Sequence, residues 1–216
     1  MGLEKQQKNY TIALIRNRFK NGLVLYSLNN LLTRTGIDIN LYYWVREGSA
    51  DFDAPKIKGK ETHYTFQFLE LEDVEALRSL KMRYNKSELI EGIKNGQKCI
   101  ALKDADNLAA LMFIEYNSFK FKGKDFTLGK EDAYLLNMYT LNEYRGRNLA
   151  PYLRYKSYEL LKEAGKKNLY SITEYFNYSS RKFKEKLKAQ HISLYLNIVL
   201  FKKKKWTFKL RDFKNN

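Results

Sequence analysis

Met138-Tyr139-Thr140-Leu141-Asn142-Glu143-Tyr144-Arg145-Gly146-Arg147-Asn148-Leu149-Ala150 joins an apolar, strand-like run to a tight turn and then to a segment with helical spacing. A small residue at Gly146 lets such a turn present successive backbone N–H groups, and the free amides at the head of the next helix add the positive end of its dipole. That combination attracts phosphate. Arg145 and Arg147 supply charge-assisted donors suited to a diphosphate. An ordinary strand-to-helix connection with solvated arginines fits residues 145–150 equally well, so the flanking pattern has to decide.

Downstream, a helix is expected from about residue 149 to 164, closed by Gly165. A strand over 168–173, a helix over 179–189 and a closing hairpin over 191–201 and 206–210 follow. Upstream, 133–141 reads as a strand, preceded by strands over 64–69, 98–102 and 109–121 and by helices over 72–80 and 86–93. The order βααβββαβαββ predicts an α/β or α+β domain, with helices layered on a mixed sheet. Residues 1–35 read as a basic amphipathic helix, with Ile12, Ile15, Phe19, Leu23 and Tyr26 at three- and four-residue steps and Gly36 at its end. A short aromatic segment, 41–45, and a polar, glycine-containing stretch, 47–61, read as the rest of an N-terminal extension and linker. The chain thus divides into an extension, 1–61, and a domain, 62–216.

A chain of 216 residues with 44% hydrophobic composition can bury a sizeable core. Its net charge of +16 is concentrated in residues 145–216, which carry +14. Such a field suits nucleic acid, an anionic membrane surface or a polyphosphorylated small molecule. The single Cys99, in an apolar run, excludes an internal disulfide and reads as a buried thiol, and the scattered His63 and His191 offer no metal cluster. No run is apolar and long enough to span a bilayer, and residues 1–7 lack a signal peptide's apolar centre, so a cytoplasmic location is expected. The N-terminal helix could lie on the inner membrane surface, or pack on the sheet or against a second subunit in a homodimer.

Residues 138–150 resemble the acetyl-CoA motif of the GNAT superfamily: a strand, then Arg/Gln-x-x-Gly-x-Gly/Ala, then a helix. Arg145 and Ala150 match, and Asn148, the next-best residue for a positive φ, replaces the middle glycine. A second element, Asn-x-x-Ala/Ser heading a helix after a strand, resembles Thr173-Glu174-Tyr175-Phe176-Asn177-Tyr178-Ser179-Ser180. The order of elements follows the family over 62–216. The resemblance implies a mainly antiparallel mixed sheet flanked by helices, and an N-acyltransferase that uses acetyl-CoA or another acyl-CoA. Main-chain groups of Met138 and Thr140 would meet the pantetheine, Arg145, Gly146, Arg147, Asn148, Leu149 and Ala150 the diphosphate, and Asn177 and Ser180 the pantetheine and diphosphate arm.

In that chemistry a primary amine of a small acceptor, such as an amino sugar or amino acid, attacks the thioester directly. No protein nucleophile is needed, in keeping with the lack of a Ser/His/Asp or Cys/His set. The attacking amine must be neutral, so a base is required. Glu115 and Glu143 are candidates, with Glu174 a third; Glu115 is favoured because the family's acceptor cleft borders that strand. The family often has a tyrosine acid seven residues after the motif asparagine, but here that position is Lys184. Tyr178, a water or no specific group would then protonate the thiolate. The alternative is a non-catalytic basic module binding nucleic acid or an anionic membrane surface, although recognisable RNA-binding signatures are absent.

Overall fold

A computed structural model describes residues 32–33, 35–49, 51–59, 64–76 and 86–213. The elements are β1 (Ile37–Glu47), β2 (Tyr64–Leu69), α1 (Leu71–Ala76), α2 (Lys86–Lys94), β3 (Lys98–Asp104), β4 (Asn107–Glu115), β5 (Phe119–Phe121) and β6 (Lys124–Phe126). They continue with β7 (Asp132–Thr140), a 3₁₀ turn (Asn142–Tyr144), α3 (Leu149–Glu163), β8 (Asn168–Glu174), α4 (Tyr178–Lys186), β9 (Gln190–Leu200) and β10 (Lys204–Asp212). Eight strands form one sheet in the order β10-β9-β1-β8-β7-β4-β3-β2, and β5–β6 form a separate hairpin. Among the described residues of the large sheet, only β7 and β8 pair in parallel. A parallel pair needs a crossover between its strands, which α3 supplies.

β4 is buried on both faces, which explains its unbroken apolar run Leu108–Ile114. Ala110, Met112 and Ile114 pack with Leu149, Leu153 and Leu161 of α3, whereas Leu111 and Phe113 pack with Val74 of α1 and Leu89 and Ile90 of α2. Cys99 lies in the second cluster, where burial pushes its thiol's pKa up, with the charge of Asp73 a smaller cause. On the face shared with α1 and α2, the other half of the sheet is covered by β5–β6. Phe119, Phe121 and Phe126 meet Tyr42, Trp44, Ile172 and Tyr195 there.

Two differences from the sequence reading have local causes. The run expected as one strand over 109–121 divides because the Glu115 carboxylate accepts the backbone N–H groups of Tyr116 (2.8 Å) and Asn117 (2.7 Å), turning the chain. The aromatic segment 41–45 belongs to the 11-residue strand β1, which lies inside the sheet between β8 and β9 rather than in an extension. Its register runs from Tyr42↔Glu174 to Glu47↔Leu169 on one side and from Ile37↔Leu200 to Arg46↔Gln190 on the other. Leu32 and Thr33 are helical, Thr35 lies in a turn and Gly36 has φ +86°, but residues 1–31 and 34 of the expected N-terminal helix lie outside the described residues.

Because β1 bridges two strands from the far end of the chain, a protein begun at residue 51 is expected to lose its cooperative thermal transition in circular dichroism. A sharp transition in that variant would show β1 to be dispensable.

Candidate active site

The parallel ladder between β7 and β8 is short. It comprises Asp132↔Asn168, Ala133↔Leu169 and Tyr134↔Tyr170, after which β7 continues to Thr140 and β8 to Glu174 without pairing to each other. On its other edge β7 follows β4 with a register shift: Tyr139 pairs with Leu111 and Leu136 with Phe113, leaving an extra residue in β7, where Asn137 takes φ 51°. This bulge bends β7 away from β8. The two strands form a V, and a cleft of about 1370 Å³ occupies it. Its walls include Met138 and Thr140 of β7, Thr173 and Glu174 of β8, and Asn177 and Ser180 at the head of α4.

Above the V lies the phosphate-type turn. Gly146 has φ +81° and Asn148 φ +67°, so the asparagine adopts the left-handed backbone expected of it. A Cβ added to Gly146 would meet no atom within 4 Å, which leaves the space above the turn open. A second hollow of about 340 Å³ sits there, lined by Gly146, Asn148, Leu149 and Ala150 together with Lys58 and Lys186. Arg145 and Thr140 line both hollows. The stretch expected as a linker is laced onto this turn: Lys58 N–H donates to the Arg147 carbonyl and Asn148 Nδ2 to the Lys56 carbonyl, each at 2.8 Å.

The expected site residues fall into four groups. Met138, Thr140, Arg145, Gly146, Asn148, Leu149, Ala150, Asn177 and Ser180 gather along the two hollows, although the Leu149 side chain is buried in the core. Asn177 caps α4, its Oδ1 accepting the Ser180 N–H at 3.1 Å. Arg147 is engaged elsewhere, donating to the Tyr64 hydroxyl at 3.1 Å and covering the Tyr144 ring. Glu115 lines the cleft, 8% exposed, and its second oxygen accepts from Gln97 Nε2 at 3.0 Å. Glu143, on the 3₁₀ turn, and Tyr178, in the first turn of α4, are exposed and are not among the cleft-lining residues.

A buried charged cluster at the base of the V was not anticipated. Glu47 of β1 pairs with Lys184 of α4 at 3.3 Å and with Arg154 of α3 at 3.5 Å. Tyr158 donates to its carboxylate at 2.5 Å, and the Ser171 hydroxyl also donates to it. Burial alone would raise the Glu47 pKa, but the two cations and two hydroxyls outweigh it and hold the carboxyl down at about 2. The Lys184 pKa is pushed down, first by burial and then by the neighbouring Arg154, with Glu47 opposing. Lys184 stands where the resemblance places a tyrosine acid. Its ammonium has four acceptors around it, Ser171 Oγ, Thr173 Oγ1, the Ile172 carbonyl and Glu47, which outnumber its three N–H groups. The available signal in the sequence was a charge on a buried stripe: Arg154 falls between Leu153 and Ser157–Tyr158 on the inner side of α3.

The overall arrangement of sheet and helices is similar to that of several solved structures. A GCN5-related glucosamine N-acetyltransferase region of a fungal multi-domain β-N-acetylglucosaminidase matches with TM-score 0.56 and 14% identity, over 79% of this chain and 22% of that one. A GNAT-family acetyltransferase from Colwellia psychrerythraea matches with TM-score 0.53 and 14% identity, over 81% of this chain and 57% of that one. The chain has the GNAT fold. A protein from Novosphingobium aromaticivorans assigned to the GNAT family matches with TM-score 0.51 and 17% identity, over 76% of this chain and 66% of that one. The GNAT fold is therefore shared at low identity, and the chain spans less than two thirds of the length of each of these proteins. No protein-family model matches the sequence, and no curated protein does.

Removing Glu47 leaves two buried cations uncompensated. Glu47→Ala is expected to cost about 3–5 kcal/mol in urea unfolding at neutral pH, and a loss below about 1 kcal/mol would show the cluster to be relaxed by water. Because the folded pKa is depressed, Glu47's contribution is full above the ordinary carboxyl value of 4.5 and falls away as pH drops towards about 2. Urea midpoints measured across that range should fall less steeply in the variant than in the parent.

Proposed function

We propose that this protein is an acyl-CoA-dependent N-acyltransferase acting on a primary amine of a small acceptor such as an amino sugar or amino acid. The observation that carries this reading is the V between β7 and β8, with the turn at residues 145–150 and the head of α3 at its mouth. The open space above Gly146, the amides at the head of α3 and the cations Arg145, Lys58 and Lys186 fit a diphosphate. The separated edge of β7 at Met138 and Thr140, with Asn177 and Ser180 opposite, fits an amide-bearing chain such as pantetheine. When bound, an acyl-CoA supplies the activated acyl group as a thioester that an amine displaces directly. The fungal neighbour's description as a glucosamine N-acetyltransferase region supports an amino-sugar acceptor.

Among the protein's own groups, Glu115 suits the base. It lines the cleft, and its backbone and Gln97 donors fix its position without occupying every lone pair. It takes a proton from the attacking amine as the new C–N bond forms and the C–S bond breaks. Glu143 and Tyr178 are exposed and are not among the cleft-lining residues, and the N–H groups of Lys184 are committed to its acceptors, so a water is assigned as proton source for the departing thiolate. Among the described residues no helix is long and apolar enough to cross a membrane.

Calorimetry with acetyl-CoA tests the reading. Gly146→Val adds a side chain in the open space and forces a β-branched residue into a left-handed backbone, and should weaken binding by about tenfold or more. Failure of the parent protein to bind any acyl-CoA would overturn the proposal. With an amine acceptor in hand, Glu115→Gln should lower kcat by about a hundredfold or more with little change in KM; an unchanged kcat would remove Glu115 from the mechanism.

A further inference from the structure

Arg154 is the side chain of the cleft whose placement the acyl-transfer reading leaves unexplained. It is 3% exposed, lines the V, and has Nε and Nη1 buried without a hydrogen-bond partner. Glu47 Oε2 lies 3.5 Å from Nε, close enough for charge attraction but not a hydrogen bond, and the Phe183 ring lies against the guanidinium at 5.9 Å. Buried donors without acceptors are costly, and an arginine fork is built to be met by two oxygens. The surrounding charge points the same way. One carboxylate, Glu47, faces two cations, Arg154 and Lys184, so the cluster carries one formal positive charge in excess at the wall of a cleft.

The position is equally specific. Ser171, which bonds both Glu47 and Lys184, directly follows Tyr170, the last residue of the parallel ladder, so the cluster sits at the vertex of the V. Arg154 reaches it from α3, on the side where Asn177 and Ser180 head α4. Arg145, Thr140, Tyr134 and Arg154 line one cleft, so a ligand that enters at Arg145 and follows β7 shares that cleft with the guanidinium. We infer that Arg154 is a recognition point for a carboxylate brought to the vertex by a substrate, the acyl group of the donor being the source favoured by its place on the α3–α4 side. This rests on the acyl-CoA reading and narrows it from acetyl transfer to transfer of a dicarboxylic acyl group.

The test compares CoA, butyryl-CoA and succinyl-CoA by calorimetry on the full chain, the two acyl groups having equal carbon number but only one a carboxylate. Succinyl-CoA should bind about tenfold to a hundredfold more tightly than butyryl-CoA. A second arm measures acetyl transfer to glycine against glycinamide, and a preference for glycine there, without one in the donor arm, assigns the carboxylate to the acceptor. Arg154→Leu and Arg154→Gln should abolish whichever preference appears. If the leucine variant does not fold, the glutamine variant and the parent comparison decide. Equal binding of both acyl-CoAs with no acceptor preference, or a preference that survives loss of the guanidinium, overturns this inference alone. Failure to bind CoA and both acyl-CoAs overturns the acyl-CoA reading and this inference with it.

Discussion

The site depends on a parallel ladder that stops after three residue pairs. β8 is held on its outer edge by β1 from Tyr42 to Glu47, and β7 on its outer edge by β4, so each strand is fixed on one side while their shared side opens. The extra residue at Asn137 makes the opening structural rather than thermal, because β7 cannot keep register with β4 and stay parallel to β8. Two facing backbone edges that no longer bond each other are a ready surface for a ligand with amides of its own. The same divergence sets the turn at 145–150 and the head of α4 on opposite sides of one mouth.

The charged cluster at the vertex complements that geometry. It ties β8, one wall of the open side, to β1 on its outer edge and to α3 and α4. Charges buried in this way contribute little net stability compared with an apolar core, since desolvation offsets most of their attraction. Their physical consequence lies in position and sign: the floor of the V is polar, positively charged and rigidly bonded, where an apolar floor would accept only a short hydrocarbon.

Local chemistry was legible in the sequence and distant pairing was not. The turn could be read because Arg145, Gly146 and Asn148 carry their conformational meaning within a few residues, and the alternation of elements after residue 62 followed from periodicity. β1 was missed as a sheet strand because its partners, β8 and β9, lie more than a hundred residues away and its own burial pattern mixes aromatic with polar positions. Glu47 therefore read as the first residue of a linker, although it is among the most deeply buried charges. The bulge at Asn137 left no mark stronger than one asparagine inside a strand pattern. Lys184 was visible as a departure from the family's tyrosine, but only the structure shows that its ammonium turns inward to Glu47, Ser171 and Thr173.

The central claim is that the V and the turn above it hold one acyl-CoA along their length. Peptide-resolved hydrogen exchange of the full chain, with and without saturating CoA, tests it most directly. Slowed exchange is predicted in peptides covering residues 136–150 and 173–180, with β10 unchanged. No protection in either segment, or protection confined to residues 190–213, would contradict it.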